Sequence, residues 1–317
     1  MSTSFKIRDE IQARELEETE NIINWLYKNG YEHVANNTLG IEIFNSILAD
    51  MCSFIYESLN TIENGKITVS LALLRKPFRD NLLYLEWLLA DPKEFINMVN
   101  NQDIEKYAIE KISKDKKINI IKSAIEKLDS QEYFSSMDEI FYYDLRYNYK
   151  PEYSLQRVWN KASHLVTTGN HIKSNEFNFI FSGQEDDLDL IEYYYNQVPH
   201  LLFYTYNIVI KLYNTFIRET SDTTKIYNNH LILYKFCDLI DTAMPQDYFD
   251  KETKSLLSFP CENCKKIIRI DLVSSEFNGF RNGWGFTCLK CGNDVGTCKY
   301  IFWEDYKEKT MHLKIVK

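Results

Sequence analysis

A mainly α-helical body followed by a small C-terminal β domain is the fold class this sequence predicts, on three observations. Glycine (10) and proline (6) are scarce among 317 residues, which favours long regular elements over tight turns. Apolar residues recur at spacings of three and four, the period of an amphipathic helix. The first 258 residues hold only two cysteines, yet Cys261/Cys264 and Cys288/Cys291 then form two Cys-x-x-Cys pairs.

The helices follow in order. Residues 6–28 form an acidic helix ending near Gly30. A second helix spans 39–62, where Phe44, Ile47, Leu48, Met51, Phe54 and Ile55 make one apolar stripe. A third spans 67–90 with a kink at Pro77, because proline lacks the N–H and its ring crowds the preceding turn. It stops before Pro92, which disfavours helix at Asp91. Residues 102–129 alternate charge sign and read as a solvated helix. Further helices are expected over 154–168, from "EDDLDLIEYYY" onward with a bend at Pro199, and over 224–242. The linker "MPQDYFDKETK" then leads to the cysteine pairs. The domains are therefore 1–250, helical, and 256–317, cysteine-rich.

Hydrophobic residues at 44% and charged residues at 26% suit a globular chain able to bury a core. Tyrosine (22) and phenylalanine (19) supply much of it. The net charge of -9 excludes a large basic surface, so non-specific duplex binding is not expected. From Leu256 onward ten Lys/Arg face seven Asp/Glu, +3, which leaves -12 for the rest. "MSTSFKIRDE" has no apolar signal core, and His200–Ile217 falls short of the ~20 apolar residues of a membrane span. A cytoplasmic location is the expectation. Seven cysteines, an odd number, argue against a disulfide framework.

Each Cys-x-x-Cys can bend as a knuckle, and two knuckles supply the four thiolates of a tetrahedral zinc site. The pairs are separated by 23 residues; "KIIRIDL" and "GTCKYIFW" read as strands, and Gly292 suits a knuckle turn. This pattern resembles a zinc ribbon over residues 258–304. Cys261, Cys264, Cys288 and Cys291 would hold a structural zinc, since four protein ligands leave no place for water. Cys298 is a fifth nearby thiol, read as a strand residue. Trp284, Phe286, Tyr300, Phe302 and Trp303 would pack the ribbon or stack bases of single-stranded nucleic acid.

Two polar stripes offer candidate sites. In "SLQRVWNKASHLVTT" Ser154 is an N-cap, and Leu155, Val158, Trp159, Ala162, Leu165 and Val166 form an apolar face. Arg157 and His164 are seven apart, so about 20° separates them around a helix, with Lys161 and Thr168 on the same stripe. The Arg–six residues–His spacing in "RVWNKASH" resembles HEPN-like helical proteins, many of them RNases of bacterial defence or toxin systems. That resemblance implies a helical bundle and a homodimer. In it Arg157 holds phosphate, and His164 acts in metal-independent acid–base cleavage through the RNA 2′-OH. A plain surface stripe and a non-catalytic interface are the other readings.

Arg75, Arg79 and Glu86 share one face of an otherwise apolar helix. An Arg75/Glu86 or Arg79/Asp80 ion pair is one reading, and a pocket in which two arginines receive an anion or nucleotide is the other. Glu185, Asp186, Asp187 and Asp189 read as capping charge at a helix start, with cation binding as the alternative. The functional expectation is an HEPN-like RNA-cleaving or RNA-binding protein. Its rivals are a non-enzymatic module whose ribbon docks a protein or nucleic acid, and an anion sensor.

Overall fold

The computed structural model describes residues 5–129, 131–168, 173, 177–178, 184–220, 222–240, 257–270, 286–295, 300–305 and 310–315. It is mainly helical and divides into two units, Met1–Arg218 and Glu219–Lys317. Cys298, Trp284 and the linker at 244–254 lie outside the described residues, as do the side chains of Glu185, Asp186, Asp187, Phe286, Tyr300, Phe302 and Trp303.

In the first unit, helix boundaries follow side-chain caps. The single helix expected over 6–28 is two, α1 (Glu10–Glu18) and α2 (Ile22–Lys28). Asn21 breaks it by turning extended and accepting the Asn24 N–H at 2.9 Å, a better use of its short side chain than a helix interior. Gly30, at φ 81°, turns the chain into α3 (Glu32–Glu63), longer than the apolar stripe alone indicates. By length and composition α3 is long and apolar enough to cross a membrane, and only 17% of its most apolar stretch is buried.

The Pro77 kink is a change of helix type. α4 (Ile67–Arg75) passes into a π-helical segment, Lys76–Asn81, and continues as α5 (Leu82–Ala90). Proline removes one helical N–H, and the wider turn accommodates its ring. Two carbonyls of the π segment also accept side-chain donors. Arg146 Nη1 donates to the Phe78 carbonyl at 3.3 Å, and the Tyr147 hydroxyl donates to the Arg79 carbonyl.

Asp91 ends α5 and caps α6 (Pro92–Asn100), accepting from the Glu94 N–H at 2.9 Å. Residues 102–129 are not one solvated helix. They give a single turn, α7 (Ile104–Tyr107), and then α8 (Lys114–Ile125), capped by Ser113. α8 buries Lys117, Ile120, Ile121 and Ala124: the charge alternation hid an apolar row. Asp138 caps α9 (Glu139–Tyr147) and Ser154 caps α10 (Leu155–Ser163). α11 (Gln184–Leu212) runs through Pro199 and ends in a second π segment, Tyr213–Ile217.

α5 is the centre of the core. Leu82, Leu83, Leu85, Trp87, Leu88 and Leu89 are all buried, because the helix packs on α8, α11 and the π segment at once. Ser58 joins α3 to its neighbours through 2.9 Å hydrogen bonds with Ser70 of α4 and Tyr194 of α11.

The second unit opens with α12 (Asp222–Leu239), so contact groups this helix with the cysteine-rich part. Among the described residues three antiparallel strand pairs follow. β1 (Leu257–Pro260) pairs with β2 (Ile267–Ile270), β3 (Phe286–Thr287) with β4 (Asp294–Val295), and β5 (Tyr300–Asp305) with β6 (Thr310–Ile315).

Candidate functional site

The two Cys-x-x-Cys pairs occupy the tips of the first two hairpins, and the tips are built alike. The Cys261 N–H donates to the Lys266 carbonyl at 2.9 Å, and the Cys288 N–H to the Asn293 carbonyl at 2.8 Å. The Lys265 and Gly292 N–H groups return to the Cys261 and Cys288 carbonyls at 2.9 and 2.8 Å. Lys265 and Gly292 hold equivalent left-handed positions, φ 58° and 71°. Gly292 takes this conformation freely, while Lys265 is strained.

The knuckles bring all four sulfurs together. Cys261 Sγ lies 3.8 Å from Cys291 Sγ, Cys264 Sγ lies 4.0 Å from Cys288 Sγ, and all four lie within 4.8 Å of one another. A tetrahedral zinc with Zn–S near 2.3 Å requires S–S edges of about 3.8 Å. The donor set therefore fits zinc in size as well as in chemistry. Hydrogen bonds from the Asn293 backbone and the Asn263 amide bring the Cys291 thiol down to about 6. Cys264 gains from the Lys266 N–H, but burial and its sulfur neighbours push it up to about 11. Four thiols at this distance cannot all ionise unless a cation offsets their mutual repulsion.

The Arg157/His164 stripe is not a continuous helical row. α10 ends at Ser163; His164 is its C-cap in extended backbone, φ -133° and ψ 126°, and Thr168 lies beyond the helix. The angular argument therefore fails for His164 and Thr168, and Leu165 and Val166, expected in the apolar face, are 56% and 53% exposed. Lys161 and His164 are exposed, while Arg157 is half-buried. Beside it Tyr193 of α11 is pushed up by burial, an effect that Arg157 partly offsets. Among the described residues the Tyr193 hydroxyl, Gln156 Oε1 and Trp159 Nε1 are buried without hydrogen-bond partners.

On the third helix the pairing differs from one of the two expected. Arg79 does pair with Asp80, Nη1 to Oδ1 at 2.8 Å. Glu86 pairs with Arg146 instead of Arg75, at 2.6 Å, with both side chains fully buried. The π segment separates Arg75 from Glu86, and α9 supplies the nearer cation. Burial outweighs Arg146 and raises the Glu86 carboxyl. Arg146, Lys117 and Tyr193 were not singled out from sequence: "YYDLRYNY" marks Arg146 only as a charge in an aromatic run. Asp189 is exposed at the sixth residue of α11, past the helix's first turn.

Fold and site together define a mainly helical protein with four closely spaced cysteines that fit a zinc-ribbon-like metal site. No protein-family model, curated protein or solved structure matches the chain.

Proposed function

We propose that the protein is a zinc-dependent interaction protein in which a structural ion folds a small C-terminal recognition unit. The observation that carries this reading is the set of four sulfurs within 4.8 Å on two matched knuckles. Four thiolates complete the coordination, so the ion's task is to hold the fold and not to activate water. Zinc binding on the order of 10 kcal/mol offsets the small core of such a unit. Lys265, Lys266 and Lys290 stand exposed on the knuckles, with Leu289 85% exposed between the second pair. Cations around an apolar tip suit an anionic partner with flat apolar faces, and single-stranded RNA has that chemistry. The test is metal analysis with RNA-oligonucleotide anisotropy. Wild type should carry one zinc per chain and bind. Cys288→Ser should lose both zinc and binding while keeping the helical signal of the first unit. Metal-free wild type, or binding untouched by loss of zinc, would sink the reading.

A second reading is an HEPN-like, metal-independent RNase, homodimeric and cytoplasmic, of a bacterial defence system. The buried Tyr193 hydroxyl, which has no hydrogen-bond partner among the described residues and lies within electrostatic reach of Arg157, favours it, because such an atom suits a place where a polar ligand completes the hydrogen bonding. RNA digestion by wild type that His164→Ala abolishes supports it. Digestion that survives the substitution removes it.

A further inference from the structure

The π segment of the helical unit carries more positive charge than its neighbours neutralise. Arg79 pairs with Asp80 at 2.8 Å and lies 3.8 Å from the exposed Glu110. Lys117, buried, gives its ammonium to two uncharged acceptors, the carbonyls of Ile109 at 2.9 Å and Ile112 at 2.5 Å. Its charge is felt by Arg79, Asp80 and Glu110. Arg75 is half-buried and within electrostatic reach of Asp80, but makes no hydrogen bond or ion pair among the described residues. The Nε atoms of both Arg75 and Arg79 are buried without an acceptor. Three cations thus face two carboxylates, and one of those carboxylates lies mostly in solvent.

The local geometry explains the cluster. In a π-helical turn, residues five apart stack along the axis, which sets Asp80 over Arg75 and beside Arg79. Asp80 pairs with Arg79 alone, which leaves the Arg75 fork open and part of the Arg79 fork with it. A half-buried guanidinium without an acceptor is costly, and the ligand that matches two forks is a tetrahedral oxyanion.

We propose that Arg75 and Arg79, supported by the Lys117 charge, bind a phosphate monoester on the π segment. Asp80 is the internal anion that competes with this ligand for the two arginines. Burial raises the Asp80 carboxyl even with both arginines beside it, in keeping with a carboxylate held at a cost where a better anion fits. The site is independent of the zinc centre and does not rest on the reading given to it.

The experiment is isothermal titration of the full-length, zinc-loaded chain with inorganic phosphate and with AMP. Saturable binding is expected for both. Equal affinities place recognition in the phosphoryl group alone; tighter AMP binding extends it to the nucleoside, and either supports the site. Arg75→Ala should weaken binding at least tenfold. Arg75→Lys, which keeps the charge and loses the fork, should also weaken it, and guards against a folding defect in the alanine variant. Asp80→Asn should tighten binding several-fold, and Lys28→Ala, exposed on α2, should leave it unchanged. Absence of saturable binding overturns the proposal, as does binding indifferent to both Arg75 variants. Weaker binding by Asp80→Asn overturns the competitor role.

Discussion

Arg146→Met isolates the largest electrostatic commitment in the helical unit. Arg146 is fully buried and makes three hydrogen bonds: to the Tyr142 carbonyl at 3.1 Å, the Phe78 carbonyl at 3.3 Å and Glu86 Oε1 at 2.6 Å. Methionine approximates its length without the charge. It leaves Glu86 buried with no counter-ion, and the Phe78 carbonyl of the π segment without its donor. Stranding one member of a buried pair costs about 3–5 kcal/mol, a large part of the 5–15 kcal/mol that holds a typical domain together. The pair itself is worth far less than that, because burying two ions consumes most of their mutual attraction. The double variant Glu86→Leu/Arg146→Met should therefore recover most of the loss. Urea unfolding of the zinc-loaded chain, followed by tryptophan fluorescence, measures both. A single variant that costs under about 1 kcal/mol would refute the reasoning, and so would a double variant no more stable than the single.

Three further outcomes are expected. Gly40→Ala should destabilise by about 1–3 kcal/mol in thermal unfolding, since the new methyl would sit 2.4 Å from the Phe216 ring and the gain in helix propensity is smaller. Lys265→Gly should stabilise the zinc-loaded knuckle by about 1 kcal/mol by relieving its left-handed strain, seen as slower zinc release to a chelator. Acid should loosen the helical unit through Asp50 and Glu94. Burial acts to raise both carboxyls, but Lys76 and Asn81 hold Asp50 below its ordinary value, and Lys116 and Trp87 do the same for Glu94. A depressed carboxyl contributes above its unfolded pKa, so urea midpoints should be flat from pH 7 to 5 and fall below about pH 4. Asp50→Asn should flatten part of that fall.

The four-cysteine cluster was legible because its geometry is local: two short motifs each form a knuckle through their own backbone, and four sulfurs come together. The helical class was legible for the same reason, through apolar rows and caps such as Asp91 and Ser154. The partner of Glu86 was not, because Arg146 lies 60 residues away and only packing of α9 on the π segment brings them together. The break at Asn21 and the stop at Ser163 were also missed. In both places periodicity continues in the letters while the backbone leaves the helix, and an asparagine cap or an extended C-cap is weak punctuation beside glycine or proline.

The π turn at Lys76–Asn81 also sets a phase. One surplus residue in a helix rotates everything after it by about 100° relative to what came before. Glu86 reaches Arg146 from the far side of that offset. A one-residue deletion within 76–81 would let the helix run on as regular α structure and remain as hydrophobic as before. It would also swing the Glu86 carboxylate by about a quarter turn, away from its guanidinium and into hydrocarbon. Length in this segment is therefore under tighter constraint than composition: the core tolerates exchange of one leucine for another apolar residue far better than it tolerates a change in count.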